Sequence, residues 1–309
     1  AARIPGSFWL PRGTRTRYRS AVPLSGQPWD PSFLERSPWF REFAIVAQPF
    51  AGRTDWPSFD DYSELAEARR ARWAPDERVL EFALAPKKSR RFRRTEVRLE
   101  ELYDGSIHLG GRVPCLPASY HDLWNAIVFS AFPRAKRRLH SRQFTALARD
   151  VRPGDTRLPS KRSRERDALT IFDEGGSAIL LQSDVYRAWQ RGSAGSDASL
   201  FAASAALDLS ALDTSRAAVV LFGHAILEQA QMASPVVRSS ALVFDVGTIP
   251  ASAERLPLWD TLIAERLERA DQFLEPGADA VLDLRADGSF VLGPFTSDET
   301  NSPESVAEA

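Results

Sequence analysis

Ser119-Tyr120-His121-Asp122-Leu123-Trp124-Asn125-Ala126-Ile127-Val128-Phe129-Ser130-Ala131-Phe132-Pro133 is the stretch on which the fold turns. Ser119 is a favourable N-cap, and apolar side chains then recur three and four residues apart, which predicts a helix from Tyr120 to about Phe132. Pro133 ends it, and a second helix runs from Arg134 to about Arg149. At 100° per residue Leu123, Trp124, Ile127 and Ala131 make an apolar stripe, with His121 and Asn125 on a ridge at its edge. Polar groups placed there are costly unless they pair with one another or hold a ligand.

Outward from this stretch, residues 214–232 are long and strongly apolar and read as a buried central helix. Residues 168–181 read as a hairpin turning at Asp173-Glu174-Gly175-Gly176, and residues 280–292 as a second one turning at Asp287-Gly288. Further helices are expected from Trp29-Asp30-Pro31 onward and over residues 58–73, 184–190, 196–206 and 258–273. Further strands are expected over 79–84 and 241–246, and around the turn Asp104-Gly105 within 96–109. The sum is an α+β fold, a predominantly helical single domain over residues 1–295 with short antiparallel strands and hairpins. An Arg/Pro-rich arm forms about residues 1–28, and the acidic tail 296–309 is expected to be disordered.

Composition narrows the function classes. With 309 residues, 43% of them hydrophobic, the chain can bury a large core. The lone Cys115 excludes an internal disulfide and fits a reducing compartment, so any metal site falls to His, Asp and Glu. No apolar run approaches the roughly 20 residues of a membrane span, and no signal-peptide pattern opens the chain. The expectation is a cytoplasmic protein with no membrane partner. A net charge of −1 gives no global attraction to nucleic acid. Basic residues nevertheless cluster at 87–94, 134–138 and 161–166, either as solvated faces or as a phosphate or nucleic-acid footprint. Only four of the 40 basic residues are lysines, and so general a bias to arginine lowers the weight of any one cluster.

Three of the four histidines stand in motifs that mix imidazole, amide and carboxylate groups with apolar residues, or on the helix that follows one. His121 and Asn125, four apart, suit a ligand or an acid/base pair. Alternatively Asp122 completes a variant capping box with Ser119, while His121 and Asn125 tie down nearby backbone. His224 and Glu228 have the same spacing, by which one helix face offers two metal ligands or a carboxylate that orients an imidazole; the alternative is a buried His–Glu pair. Gly223, inside that expected helix, costs about 1 kcal/mol against Ala, tolerable where another backbone comes close. Asp167 and Asp173 bracket the first expected strand of the 168–181 hairpin and share its face, and with Glu174 they would suit a hard divalent cation. Asp173 and Glu174 are read as turn residues, leaving Asp167, beside Arg166, as the functional candidate. His140 reads as a solvated residue of a basic helix, its alternative being a place at a cationic rim, and His108 as exposed or satisfied within a strand.

Taken in order, these motifs resemble a bacterial family known as domain of unknown function 3025. The resemblance rests on Val113-Pro114, His121-Asp122-Leu123 with Asn125-Ala126, and Ala131-Phe132-Pro133-Arg134 with Lys136. It continues through Arg166-Asp167-Ala168-Leu169-Thr170 with Phe172-Asp173-Glu174 and Gly176, and Phe222-Gly223-His224-Ala225 with Leu227-Glu228. It spans about residues 82–229, and in residues 242–262 Leu256-Pro257-Leu258-Trp259 is a loose echo of the family's Pro/Gly/Trp-rich segment. The family implies no reaction.

The chain has no phosphate-binding loop, Gly-x-Gly-x-x-Gly, His-Glu-x-x-His or Gly-x-Ser-x-Gly, and no Cys nucleophile in a recognisable setting. Two readings follow. One is a hydrolase-type enzyme acting on an anionic, phosphate-containing substrate, with His121, Asp167, His224 and Glu228 as catalytic groups and as ligands to a divalent metal ion. Asn125 would position the ligand, and Arg134, Lys136, His140 and Arg166 would attract the anion. The other is a non-catalytic binding or assembly protein whose polar motifs form a structural network and whose basic clusters contact nucleic acid or an acidic partner. Neither reading assigns an oligomeric state.

Overall fold

The computed structural model describes residues 26, 28–73, 77–86, 96–191, 207–232, 236–285 and 287–293. After short 3-10 turns at Phe33–Glu35 and Pro38–Phe43 come α1 (Ala44–Ala47), α2 (Phe59–Ala68), β1 (Arg72–Trp73), β2 (Arg78–Val79) and β3 (Glu81–Leu84). Next are α3 (Tyr103–Gly110), β4 (Arg112–Cys115), α4 (Tyr120–Ala131), α5 (Pro133–Asp150), α6 (Arg164–Gly175) and β5 (Gly176–Leu181). The last part holds α7 (Ser183–Gln190), β6 (Leu207–Asp208), β7 (Ala217–Leu221), α8 (His224–Gln231), β8 (Val236–Asp245), α9 (Ser252–Glu268), β9 (Ala280–Arg285) and β10 (Phe290–Leu292). The expected helix over 196–206, the tail, the basic cluster 87–94 and nearly all of the N-terminal arm lie outside the described residues.

Six strands form one sheet in the order β6-β10-β9-β8-β5-β7. Its centre is mixed, since β5 runs parallel to β8 and antiparallel to β7. All six residues of β5 are buried. Helices α6, α7 and α8 pack on β8, while α4 packs on α8, and α5 lies against α6 and α9. Trp124 pins the N-terminal turns to this body, its ring 4.2 Å from Phe40 and 5.6 Å from Phe33 between centroids. The α+β, mostly helical architecture is therefore as expected. Among the described residues no helix is long and apolar enough to cross a membrane.

Local signals placed several elements well. Ser119 caps α4 by accepting from the Asp122 N–H (3.3 Å), and Pro133 opens α5. Ser58 and Asp61 form a reciprocal capping box on α2. The β9–β10 hairpin turns at Gly288, whose φ of +87° suits glycine.

Other expectations are corrected. The 214–232 segment is not one helix: β7 ends at Leu221, and α8 starts at His224. A strand buried on both faces is as uniformly apolar as a buried helix, so composition does not separate them. The 168–181 hairpin is a helix running directly into a strand, α6 into β5, with Ala168, Leu169 and Phe172 on the helix's buried side. Asp167 and Asp173 therefore share no sheet face. Strands around Asp104-Gly105 give way to α3, where Gly105 packs so tightly on Leu99 that a Cβ would meet its carbonyl oxygen at 1.8 Å. The helix over 58–73 stops at Ala68, with Trp73 in β1; that over 258–273 begins earlier and ends at Glu268, carrying Pro257 within it. The strand over 241–246 begins at Val236, and His108, on α3 rather than a strand, stacks on Phe144.

Candidate functional site

His121 lies in the first turn of α4, where Ser119 frees the ring from any capping duty. Asp122 completes no reciprocal capping box; its carboxylate accepts from the Leu116 N–H (3.1 Å) and from the Ser119 hydroxyl. His224 opens α8 directly after Gly223, the N-cap. A Cβ on Gly223 would stand 2.4 Å from the Glu174 carbonyl oxygen, so the glycine lets the start of α8 press against the end of α6. Phe222 and Gly223 both donate their N–H groups to the Gly176 carbonyl, fixing that junction.

The two imidazoles meet across this junction. His121 Nε2 and His224 Nε2 are 3.1 Å apart, with ring planes inclined at 76°. His224 Nδ1 is 2.9 Å from the Asp173 carbonyl, and His121 Nδ1 is 3.2 Å from Glu228 Oε2. Glu228 thus serves the imidazole of the facing helix, not the one four residues before it. A carbonyl and a carboxylate only accept, so both Nδ1 atoms carry hydrogens and donate. Neutral rings would then turn two lone pairs toward each other. A positive centre between the Nε2 atoms removes that repulsion, and a proton on His121 supplies one.

Electrostatics supports this assignment. Burial pulls the His121 pKa down, but the bond to Glu228 and the charges of Asp122, Glu228 and Glu174 outweigh it and hold it above the ordinary imidazole value. Burial and the neighbouring His121 charge push His224 well below that value. Within the pair His121 is the ring that favours the proton and His224 the ring that favours the neutral form. The His121 side chain remains 42% exposed, against 11% for Glu228, so its ring can be reached from solvent.

A second polar set lies deeper. Lys136, with no exposed surface, donates to Asp173 Oδ1 (2.5 Å) and Asn125 Oδ1 (3.3 Å), and its ammonium sits 4.4 Å from the Phe129 ring centroid. Asn125 donates in turn to the Tyr103 hydroxyl (3.1 Å). The short contact is that of a charge-assisted bond between ionised partners. Burial opposes the Asp173 charge, but the Lys136 ammonium bonded to it holds its pKa well below the usual carboxylate range.

Of the nine sequence candidates, the structure brings together His121, His224 and Glu228. Asn125 and Lys136 are in the interior set, so Lys136 does not face solvent to attract an anion. Its α5 neighbours Ala135, Leu139, His140, Gln143 and Leu147 are buried too, a three-and-four spacing that marks Lys136 as inward-facing. His140 is not solvated: it is fully buried, stacked on Phe129 at 5.2 Å, and neither ring nitrogen has a hydrogen-bond partner. Arg134 reaches Thr261 and Arg166 reaches Asp150. Asp167 sits at the opposite end of α6 from Asp173, six residues or about 9 Å along the axis, and makes no hydrogen bond or ion pair to either imidazole. Among the described residues no group of three or more His, Cys, Asp and Glu side chains is disposed to hold a metal ion, so the expected four-ligand set is not assembled. Sequence reading set Glu174 aside as a turn residue, although it is desolvated and within electrostatic reach of His121 and of the exposed Arg162, and it missed the Asp173 carbonyl, a backbone group that no motif announces.

No curated protein and no solved structure matches the chain. The family described as "Protein of unknown function (DUF3025)" matches residues 91–280, from before α3 to the first residue of β9. The match takes in β8 and α9 as well as the motif-bearing elements, so it reaches further toward the C-terminus than the motifs alone. With more than half its length matched, the chain belongs to this family.

Proposed function

We propose that the chain is a hydrolase-type enzyme acting on an anionic, phosphate-containing substrate, with His121 as its proton-transferring group. The observation that carries this reading is the reachable His121 imidazole, bonded to Glu228 through Nδ1 and facing neutral His224 through Nε2. Glu228 would stabilise the imidazolium and fix the ring; His224, locked by the Asp173 carbonyl, would take up or return the shared proton. An anion would meet the imidazolium and the exposed Arg162, in place of the tethered Arg134 and Arg166 and the buried Lys136 and His140. Asp167 has no part in it. Cytoplasmic residence belongs to the same proposal and is supported by the single, buried Cys115.

The competing reading, a binding or assembly protein, is favoured by the buried Lys136–Asp173–Asn125 set and its bond to Tyr103 at the surface, which together hold α3, α4, α5 and α6. A nucleic-acid partner has less behind it, since Arg137, Arg138, Arg142 and Arg149 are engaged by Glu77, Glu268 and Glu165.

The test is hydrolysis of nitrophenyl phosphate mono- and diesters by the parent protein and by His121→Ala. Turnover that falls about 10²–10⁴-fold in a folded variant is the expected result. Equal rates in both proteins, or no turnover of either ester class by the parent, would sink the reading.

A further inference from the structure

The proton is not the only positive centre that fits between two imidazole Nε2 atoms. We propose that His121 and His224 form a two-imidazole site for a divalent transition cation of the zinc type. The proposal uses the same pair as the reading above and adds to it the chemical class of a ligand.

Three observations carry it. The first is spacing: nitrogens about 2.0–2.1 Å from one ion stand roughly 2.9 Å apart in octahedral and roughly 3.3 Å apart in tetrahedral geometry. The observed 3.1 Å lies between them. The second is what holds the far side of each ring. His121 Nδ1 donates to the Glu228 carboxylate and His224 Nδ1 to the Asp173 carbonyl. Metal-bound imidazoles almost always carry such partners, because a fixed Nδ1–H leaves the Nε2 lone pair free and correctly aimed. The third is access. The His121 side chain is 42% exposed, so solvent and a substrate oxygen can fill the positions that protein does not.

The roles differ from those the sequence suggests. Glu228 orients a ligand instead of being one, and Asp167 is absent from the site. Two imidazoles and no thiolate favour Zn²⁺, Ni²⁺ or Cu²⁺ over Mg²⁺ or Ca²⁺. The cation accepts one lone pair from each Nε2, and no electron is transferred.

The experiment is calorimetric titration of ZnCl₂ into chelator-treated, tag-free full-length chain. The expected result is about one ion per chain and at least a tenfold loss of affinity in His121→Ala. Because His224 is buried, His121→Ala is the primary variant, and circular dichroism verifies its fold. Glu228→Gln keeps both Nε2 atoms, so it retains binding weakened by about 10–100-fold. No Zn²⁺ binding, or binding unchanged in folded His121→Ala, overturns the proposal. Failure here and failure of the hydrolase reading are separable. Ester hydrolysis by metal-free protein that binds no Zn²⁺ leaves the acid–base reading standing alone, and Zn²⁺ bound at the pair without hydrolysis leaves this site standing alone.

Discussion

Replacing Lys136 with Met tests whether this lysine belongs to the interior. The variant keeps most of the apolar stem beside Phe129 and removes only the charged end. Asp173, its side chain 8% exposed, then loses its ion-pair partner, and Asn125 Oδ1 loses a donor. Removing one member of a buried ion pair costs about 3–5 kcal/mol, because the other charge stays buried without compensation. Set against total stabilities of about 5–15 kcal/mol, that loss is large enough to measure and small enough to leave a folded population. Asp173→Leu strands the ammonium in the same way and should cost a similar amount. The double variant removes both charges and should be more stable than either single one, so the cycle should show strong non-additivity. Urea unfolding followed by fluorescence of the buried tryptophans reads all four proteins. A solvated Lys136 would respond to substitution by no more than about 0.5 kcal/mol. A single-variant cost below about 1 kcal/mol, or additive single costs, would refute the reasoning.

Two further outcomes follow from the packing. Asp260 on α9 caps α5 from outside, accepting from the Arg134 and Ala135 N–H groups (3.2 and 2.8 Å), and burial raises its pKa to about 6 from 3.8. A raised carboxyl pKa means the folded chain binds more protons, so its contribution is complete below about pH 3.8 and is lost as pH rises through 6. Between pH 4 and 7 the parent should therefore lose about 2 kcal/mol relative to Asp260→Asn in urea unfolding; a pH-independent difference would contradict this. Gly223→Ala places a Cβ 2.4–2.6 Å from backbone atoms of Glu174 and Gly175, which cannot swing aside. It should cost about 1–3 kcal/mol and part the two imidazoles, visible as a lower melting temperature and a His121 pKa moved toward its ordinary value, whereas an unchanged melt would show the contact to be soft.

What could be read from the sequence follows the range of the interaction. Ser119, Pro133 and the Asp287-Gly288 turn act within four residues, and the elements they bound came out close to the structure. The junctions α6–β5 and β7–α8 did not, because a strand buried on both faces loses its alternation, and Gly175-Gly176 reads equally as a hairpin turn or as an exit from a helix. The candidate site divides the same way. Helical spacing picked out His121, His224 and Glu228 but not their pairing, since i,i+4 spacing names a shared face without naming what stands opposite it. Lys136 and His140 were assigned to solvent on residue type, although their positions repeat the spacing of Leu139, Gln143 and Leu147, a pattern outweighed by the arginines between them.

The buried network and the imidazole pair, of which only His121 reaches solvent, are mechanically one object, joined at the end of α6. Asp173 turns its side chain inward to Lys136 and its carbonyl outward to His224. Within the next three residues, Glu174 backs onto Gly223, the Gly175 carbonyl accepts from Ser239 Oγ (2.8 Å), and Gly176 receives the N–H groups of Phe222 and Gly223. A backbone held at so many points cannot shift at Asp173 without moving the His224 ring. The buried charge pair thus costs desolvation in the core and in return fixes one tautomer at the surface. Glu228 has no such double duty, because its bond is to His121 alone of the two rings. Lys136→Met should therefore change both unfolding free energy and the His121 pKa, and Glu228→Gln chiefly the latter, a separation that NMR titration of His121 in both variants can read. If Lys136→Met lowers stability and leaves the His121 titration untouched, the two layers are independent, and the interior set is a packing device only.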